Sequence, residues 1–114
     1  MAAGRYNMIC NQGATFSKRL TWKIDDVAVD LTGYTGKMQA RDSYGVDCAA
    51  VVDITTENGG ITLDSSGNID LLISSSVTTA IKAKDYLYDI ELTTGTTVTR
   101  LLQGKFIVTP EVTM

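Results

Sequence analysis

The sequence predicts an all-β fold, a compact antiparallel β-sandwich of about eight strands with one short helix. Its strand order is expected to be either jelly-roll or immunoglobulin-like. Three observations indicate this class: apolar and polar residues alternate with period two, turn residues recur every ~8–12 positions, and helical periodicity is confined to one short segment. The chain of 114 residues has the size of a single domain.

Period-two alternation is clearest in residues 16–24, 34–41 and 86–92. In the second segment, Tyr34, Gly36, Met38 and Ala40 alternate with polar neighbours, as in a strand with one face in the core. Further strands are expected at 27–29, 49–56, 61–63, 69–73, 98–102 and 105–109. Lys18 interrupts the apolar face of the first segment, which a position at the edge of a sheet would tolerate.

Turn signals separate these strands. Asp25 and Asp26 predict a hairpin that lacks the usual glycine. Residues 58–60 and 64–68 predict two further turns. Residues 74–83 start with serine at an N-cap position and then carry Val77, Ala80 and Ile81 at helical spacing, so we expect about two helical turns there. Gly104 predicts a bulge or kink.

The composition favours a binding or structural module over an enzyme. The chain contains no histidine, which removes the commonest general base and metal ligand. A net charge of -3 argues against a nucleic-acid binder, which needs a basic footprint. We therefore expect no catalytic residues, no cofactor, no metal, no nucleic-acid partner and no membrane partner.

The motifs that resemble metal-binding or catalytic sites are better explained as turns, loops and helix caps. The loop 64–70 resembles a calcium loop but has serine at the second ligand position and no distal glutamate, so a hairpin loop is expected. The carboxylate pairs Asp25 with Asp26, and Asp42 with Asp47, suit turns. The serines at 74–76 precede two lysines but are explained by helix capping.

The two cysteines, Cys10 and Cys48, do not form a disulfide framework, and we expect buried thiols, although their pairing stays open. The first residues have no apolar run typical of a secretory signal, and no segment has the length of a membrane-spanning helix. We therefore expect synthesis and folding in a cytoplasm. Trp22 and the tyrosines are expected in the core or at an interface, with a sugar-stacking platform as the alternative.

Several sequence phrases resemble small virion-associated proteins of tailed bacteriophages, and the resemblance covers nearly the whole chain. They are NQGATF (11–16), LTWK (20–23), VDLTGYT (29–35), GKMQAR (36–41), the segment 63–73, DYLYDIEL (85–92) and VTRLLQGK (98–105). These are structural phrases and contain no catalytic signature. The resemblance implies a phage structural protein made in the bacterial host.

Within that class the short chain favours a capsid decoration (cement) protein, which binds the major capsid protein lattice on the outer surface of the virion and stabilises the head. The alternative is a tail, baseplate or fibre adaptor, or a head–tail connector. A more distant alternative is a carbohydrate-binding sandwich, which predicts Trp22 or Tyr34 on an exposed concave face. The expected partners are the major capsid protein and further copies of the chain. Two copies would form a two-fold homodimer, by pairing of edge strands or by packing of sheet faces.

The termini are the expected interface. We divide the chain into an N-terminal arm with the first strand (1–10), a single sandwich domain (11–109) and a C-terminal tail (110–114). Tyr6 and Met8 are expected as apolar anchors on the first segment, and Val112 and Met114 on the last.

Overall fold

The computed structural model describes residues 4–42 and 50–110. They form two packed β-sheets and a separate two-stranded hairpin, so the predicted all-β sandwich with one short helix is confirmed. In chain order the elements are β1 (Gly4–Arg5), β2 (Met8–Asn11), β3 (Phe16–Thr21), β4 (Lys23–Ile24), β5 (Val27–Ala28), β6 (Thr35–Arg41), β7 (Val52–Thr55), β8 (Ile61–Leu63), β9 (Asn68–Ile73), α1 (Ser75–Ala80), β10 (Asp85–Thr94) and β11 (Thr97–Thr109).

The strand order is immunoglobulin-like. One sheet has the order β11-β10-β6-β7, with β1 and β2 both added beside β11, and the other has the order β3-β9-β8. With β3 as strand B, these sheets are G-F-C-C′ and B-E-D, the arrangement of a variable-type immunoglobulin sandwich. Each of the hairpins β6–β7, β8–β9 and β10–β11 stays within one sheet. The jelly-roll alternative is therefore excluded, and β4–β5 is a small extra hairpin between strands B and C.

The first strands differ from the expected antiparallel arrangement. Both β1 and β2 run parallel to β11, with Gly4 opposite Leu102 and Met8 opposite Phe106. Parallel pairing is possible here because almost the whole chain separates the two partners, far more than the minimum crossover length. The strands β1 and β2, within residues 4–11, thus pair along β11 in the larger sheet.

The predicted alternation places the core between the sheets. In β10, Tyr86, Tyr88, Ile90 and Leu92 are all buried, as the period-two pattern predicted. Their counterparts on β6 and β9 are buried in the same way. Across the core, the rings of Phe16 and Phe106 pack edge-to-face with centroids 5.5 Å apart, an arrangement favoured by the aromatic quadrupole. The described residues therefore share one continuous hydrophobic core.

The short helix forms where predicted, but of the three apolar residues that predicted it only Ile81 is buried. Val77 is 44% exposed, whereas Thr78 is fully buried. The Thr78 hydroxyl donates to the Ala14 carbonyl at 2.8 Å, which satisfies the buried polar group. Ser74 occupies the N-cap without a side-chain capping bond. The sequence pattern missed this orientation because the helix is held by a polar contact.

Tyr86 and Tyr88 anchor the start of strand F. The Tyr86 hydroxyl donates to the Lys82 carbonyl at 2.7 Å, which is the tyrosine corner of immunoglobulin-type sandwiches. Two residues later, where antibody domains carry a disulfide cysteine, this chain has the buried Tyr88. Its hydroxyl donates to the Tyr6 carbonyl, so a hydrogen bond links the core to the N-terminal segment.

Gly104 has a different role from the predicted bulge. The register shift between β10 and β11 lies between Ile90 and Glu91, opposite residues 100–102. Gly104 pairs regularly with Tyr88, and a Cβ there would lie 2.3 Å from the Tyr6 carbonyl oxygen. Glycine is therefore required for the close approach of the N-terminal segment.

Candidate interaction surfaces

The structure separates the two N-terminal residues that the sequence marked as anchors. Met8 is 2% exposed and packs in the core, so its side chain is not available for docking, because the period-two pattern of β2 turns it inward. Tyr6 is exposed, and the Lys18 ammonium lies 5.1 Å from its ring centroid in a cation–π contact. The C-terminal candidates Val112 and Met114 lie outside the described residues.

Exposed large hydrophobic side chains occur at several other places in the described ranges, namely Ile9, Ile24, Val27, Leu72, Val77 and Val98. Ile24 and Val27 are register partners in the β4–β5 hairpin and therefore lie on the same face of it. They are 49% and 68% exposed. The hairpin tip is thus an exposed aliphatic pair.

Two aspartates form the turn of this hairpin. Asp25 and Asp26 have φ values of 51° and 66°, as the two central residues of a type I′ turn require. Aspartate tolerates this left-handed backbone region better than most residues other than glycine and asparagine. The predicted hairpin is confirmed, and it presents two carboxylates beside the aliphatic pair.

A groove lies at the base of the hairpin, where the edge of one sheet approaches the edge of the other. Its volume is about 410 Å³, and we call it the Trp22 groove. Its walls are mainly apolar, and Arg5 and Lys23 supply its positive charges. The lining residues are Arg5, Tyr6, Leu20, Thr21, Trp22, Lys23, Ile69, Leu101 and Leu102.

Trp22 is half-buried in this groove and packs edge-on against Tyr34, with ring centroids 6.2 Å apart and the planes at 89°. Its backbone N–H donates to the Gly67 carbonyl at 2.9 Å. Trp22 is therefore a partly exposed wall of a concave surface, intermediate between the predicted core or interface position and the alternative of an open sugar platform.

At the opposite side of the sandwich, β7 is an edge strand whose outer backbone groups are occupied by Asn58. The Asn58 amide donates to the Asp53 carbonyl at 3.1 Å, and its oxygen accepts from the Thr55 N–H at 2.9 Å. The N–H of Thr56 donates to Gly36 of β6, so by strand alternation Thr55 points away from β6. Asn58 therefore bonds the groups that an added strand would use, and we call this the Asn58 edge.

A second groove of about 520 Å³ lies beside the Asn58 edge. It is bounded by β7, by the loop at 58–60 and by the start of α1, and the exposed Leu72 and Val77 lie on it. Asp53 is the only charged residue among its described lining residues. The two grooves therefore differ in charge: the Trp22 groove is basic and this one is weakly acidic.

The loop between β8 and β9 is a hairpin loop, as predicted. One oxygen of Asp64 accepts from the N–H groups of Ser66 at 2.8 Å and Asn68 at 3.0 Å, and the other accepts from the Asn68 amide. These hydrogen bonds from Asn68 and Ser66 lower the pKa of Asp64. Within residues 4–42 and 50–110, no group of three or more metal-ligating side chains is assembled.

The other chemical candidates are also engaged in structure. The Ser74 and Ser76 hydroxyls bond each other at 3.1 Å, and Lys84 is paired with Asp42. Cys10 is fully buried, and this burial raises the pKa of its thiol. Cys48 and Asp47 lie outside the described residues. In the described part of the chain, no helix has the length and apolar character needed to span a membrane.

Sequence patterns missed both the Trp22 groove and the Asn58 edge. The groove joins residues from four distant segments, and no local pattern marks their proximity. The edge role of Asn58 depends on which side of β7 is unpaired, which is a property of the sheet order. The only available signal was Asn58-Gly59-Gly60, which indicates a turn.

Comparisons with known proteins leave the family open. No protein-family model matches the sequence, and no curated protein matches it. Among solved structures, the extracellular domain of the voltage-gated sodium channel β4 subunit, described for its parallel homodimers and a role in cell–cell adhesion, is similar at 11% identity. The TM-score is 0.45, and the match covers 98% of this chain and 97% of that one. We assign nothing to this chain from so distant a likeness.

Proposed function

We propose that this protein is a non-enzymatic assembly module of a tailed-phage virion, most specifically a capsid decoration protein. The observation that supports an assembly role is the exposed aliphatic pair Ile24–Val27, which lies on a hairpin that extends from the β-sandwich. Buried side-chain nitrogen and oxygen atoms of the described residues all have hydrogen-bond partners.

The phage assignment rests on the sequence resemblance of the phrases around Trp22, Tyr34 and Tyr88 to virion-associated proteins. A decoration protein that binds only the assembled lattice stabilises the lattice by mass action, and many symmetric copies multiply the effect. A net charge of -3 suits the outer surface, since a surface facing packaged DNA would gain from positive charge. A tail, baseplate or connector position uses the same kind of surface and is the alternative.

The test is direct localisation. Purified particles of the phage that encodes this chain are separated into heads and tails, and each fraction is assayed for the chain by mass spectrometry. Cryo-electron microscopy of the intact particle then gives the symmetry of its copies. Icosahedrally arranged density on the head supports decoration, a ring on the tail or neck supports the alternative, and absence from the particle contradicts both.

A carbohydrate-binding module is the second candidate, because Trp22 lines a concave groove together with Tyr6. Aromatic side chains in such a position can stack on sugar rings. A glycan array probed with the wild-type chain and with Trp22→Ala tests this candidate. Binding that the substitution abolishes would favour it over the assembly role.

A further inference from the structure

The hairpin tip differs from the other exposed apolar positions in the described part of the chain. At Ile24 and Val27 both members of a cross-strand pair are exposed aliphatic residues. Elsewhere the exposed residue faces a polar or more buried partner: Val98 faces Thr93, Leu72 faces Ser17, and Ile9 faces Ile107. Paired exposed aliphatics favour contact with another apolar surface over exposure to water.

The charges around the tip and the groove are complementary. The exposed Asp25 and Asp26 flank the aliphatic pair, whereas Arg5 and Lys23 line the apolar Trp22 groove. A groove of about 410 Å³ falls within the range of about 300–1,000 Å³ that is typical of ligand sites. The Trp22 groove can therefore receive aliphatic side chains of a docking segment, while Arg5 and Lys23 contact the carboxylates of that segment.

We propose that two copies of this chain associate by reciprocal docking, with the β4–β5 tip of each copy in the Trp22 groove of the other. Ile24 and Val27 contact the apolar walls, and Asp25 and Asp26 approach the cationic rim. Lys23 belongs both to the hairpin and to the groove, so the two surfaces are adjacent. A single two-fold axis can therefore form both contacts at once and close the assembly as a dimer.

Docking would also stabilise the hairpin itself. Each of its strands has two residues, and the hairpin forms a sheet of its own in the described structure. Isolated two-stranded hairpins are at best marginally stable in water. Burial of the exposed aliphatic pair in a second copy would provide the missing packing, and this inference does not depend on the phage assignment.

Sedimentation velocity over a concentration series tests the proposal. Wild-type protein is expected to show a monomer–dimer equilibrium. The double variant Ile24→Ser/Val27→Ser is expected to raise the dimer dissociation constant by at least about tenfold, because it removes two buried aliphatic side chains. Val98→Ser is the matched control, since it makes the same type of change at another exposed hairpin and should leave dimerisation unchanged.

A mixing experiment identifies the two surfaces as partners. The charge-reversed groove variant Arg5→Glu, which leaves every residue of the β4–β5 hairpin unchanged, should dimerise more weakly than wild type when alone, as should the tip variant. A mixture of the two should form a heterodimer, because the tip of the groove variant is wild type and so is the groove of the tip variant. The expected affinity is intermediate, since one of the two contacts remains.

Three results would overturn the proposal. One is a strictly monomeric wild type at every concentration, and another is a dimer that the tip variant does not weaken. The third is a glycan that occupies the groove of a monomer and is lost with Trp22→Ala. Failure of these tests would leave virion localisation untouched, so the two proposals are distinguishable.

Discussion

The Asn58 edge and the Trp22 groove lie on opposite sides of the sandwich. They differ in whether their exposed groups are already bonded within the chain or stay accessible. At the Asn58 edge, a side-chain amide occupies backbone groups that an added strand would use. At the Trp22 groove, apolar and cationic side chains stay accessible beside an exposed aliphatic hairpin. Proteins commonly protect sheet edges against unwanted pairing. The comparison shows that Asn58 blocks strand addition at β7, whereas the Trp22 groove leaves its side chains open to contact.

Substitution of two crowded glycines should have the largest effects on stability. A Cβ at Gly60 would lie 2.4 Å from the Ile54 Cβ, near the Asn58 edge, and one at Gly104 would lie 2.3 Å from the Tyr6 oxygen. We expect Gly60→Ala and Gly104→Ala each to lower the free energy of unfolding by about 1–3 kcal/mol through overpacking. Chemical denaturation measures this.

Gly4→Ala is the control for these glycines. Its nearest contact is the movable end of the Leu102 side chain at 3.1 Å, so a clearly smaller loss is expected. Hydrogen exchange should show that Gly104→Ala, but not Gly60→Ala, releases residues 4–11. Equal protection of that segment in both variants would contradict the role given to Gly104.

Loss of the Tyr88 hydroxyl should have an intermediate effect on the Trp22 side of the molecule. Tyr88→Phe removes the bond to the Tyr6 carbonyl and should cost about 1 kcal/mol, with faster amide exchange in residues 4–11. Tyr86→Phe is the matched control, because it removes the corner bond to Lys82 and should loosen the segment before β10 instead. Identical exchange patterns in the two variants would show that Tyr88 does not anchor the N-terminus.

Opening the Asn58 edge should cost about 1 kcal/mol and create a new surface for association. Asn58→Ala removes bonds to the Asp53 carbonyl and to the N–H groups of Thr55 and Gly60. We expect concentration-dependent aggregation, measured by light scattering. Asn58→Asp keeps the acceptor and should aggregate less. Unchanged solubility of the alanine variant would mean that Asn58 does not protect this edge.

The smallest effect should appear only in acid. Hydrogen bonds from Asn68 lower the pKa of Asp64. The Glu57 carboxylate accepts hydrogen bonds from the Glu57 backbone N–H and from Thr56, and these lower the pKa of Glu57. A carboxylate whose pKa is lower in the folded state stabilises the fold at pH values above its pKa in the unfolded chain, which is about 3.9 for aspartate. This contribution to stability disappears as the pH falls through the pKa of the folded state.

Asp64→Asn should therefore flatten the decline of stability below about pH 4, while Glu57→Gln should do so less, because Asp64 accepts three hydrogen bonds. Thermal unfolding from pH 2 to 7 measures both variants against wild type. A steeper acid decline in Asp64→Asn would contradict the assignment.

The sequence by itself determined the strands and their buried faces, since residues such as Met38, Tyr88 and Ile90 follow the period of an extended backbone. It also determined the Asp25–Asp26 hairpin and the place of the helix. Tertiary structure decided what local patterns cannot encode. The parallel pairing of β2 buried Met8, the approach of Tyr6 made Gly104 necessary, and sheet order created the Asn58 edge and the Trp22 groove, because each depends on contacts between residues far apart in the chain.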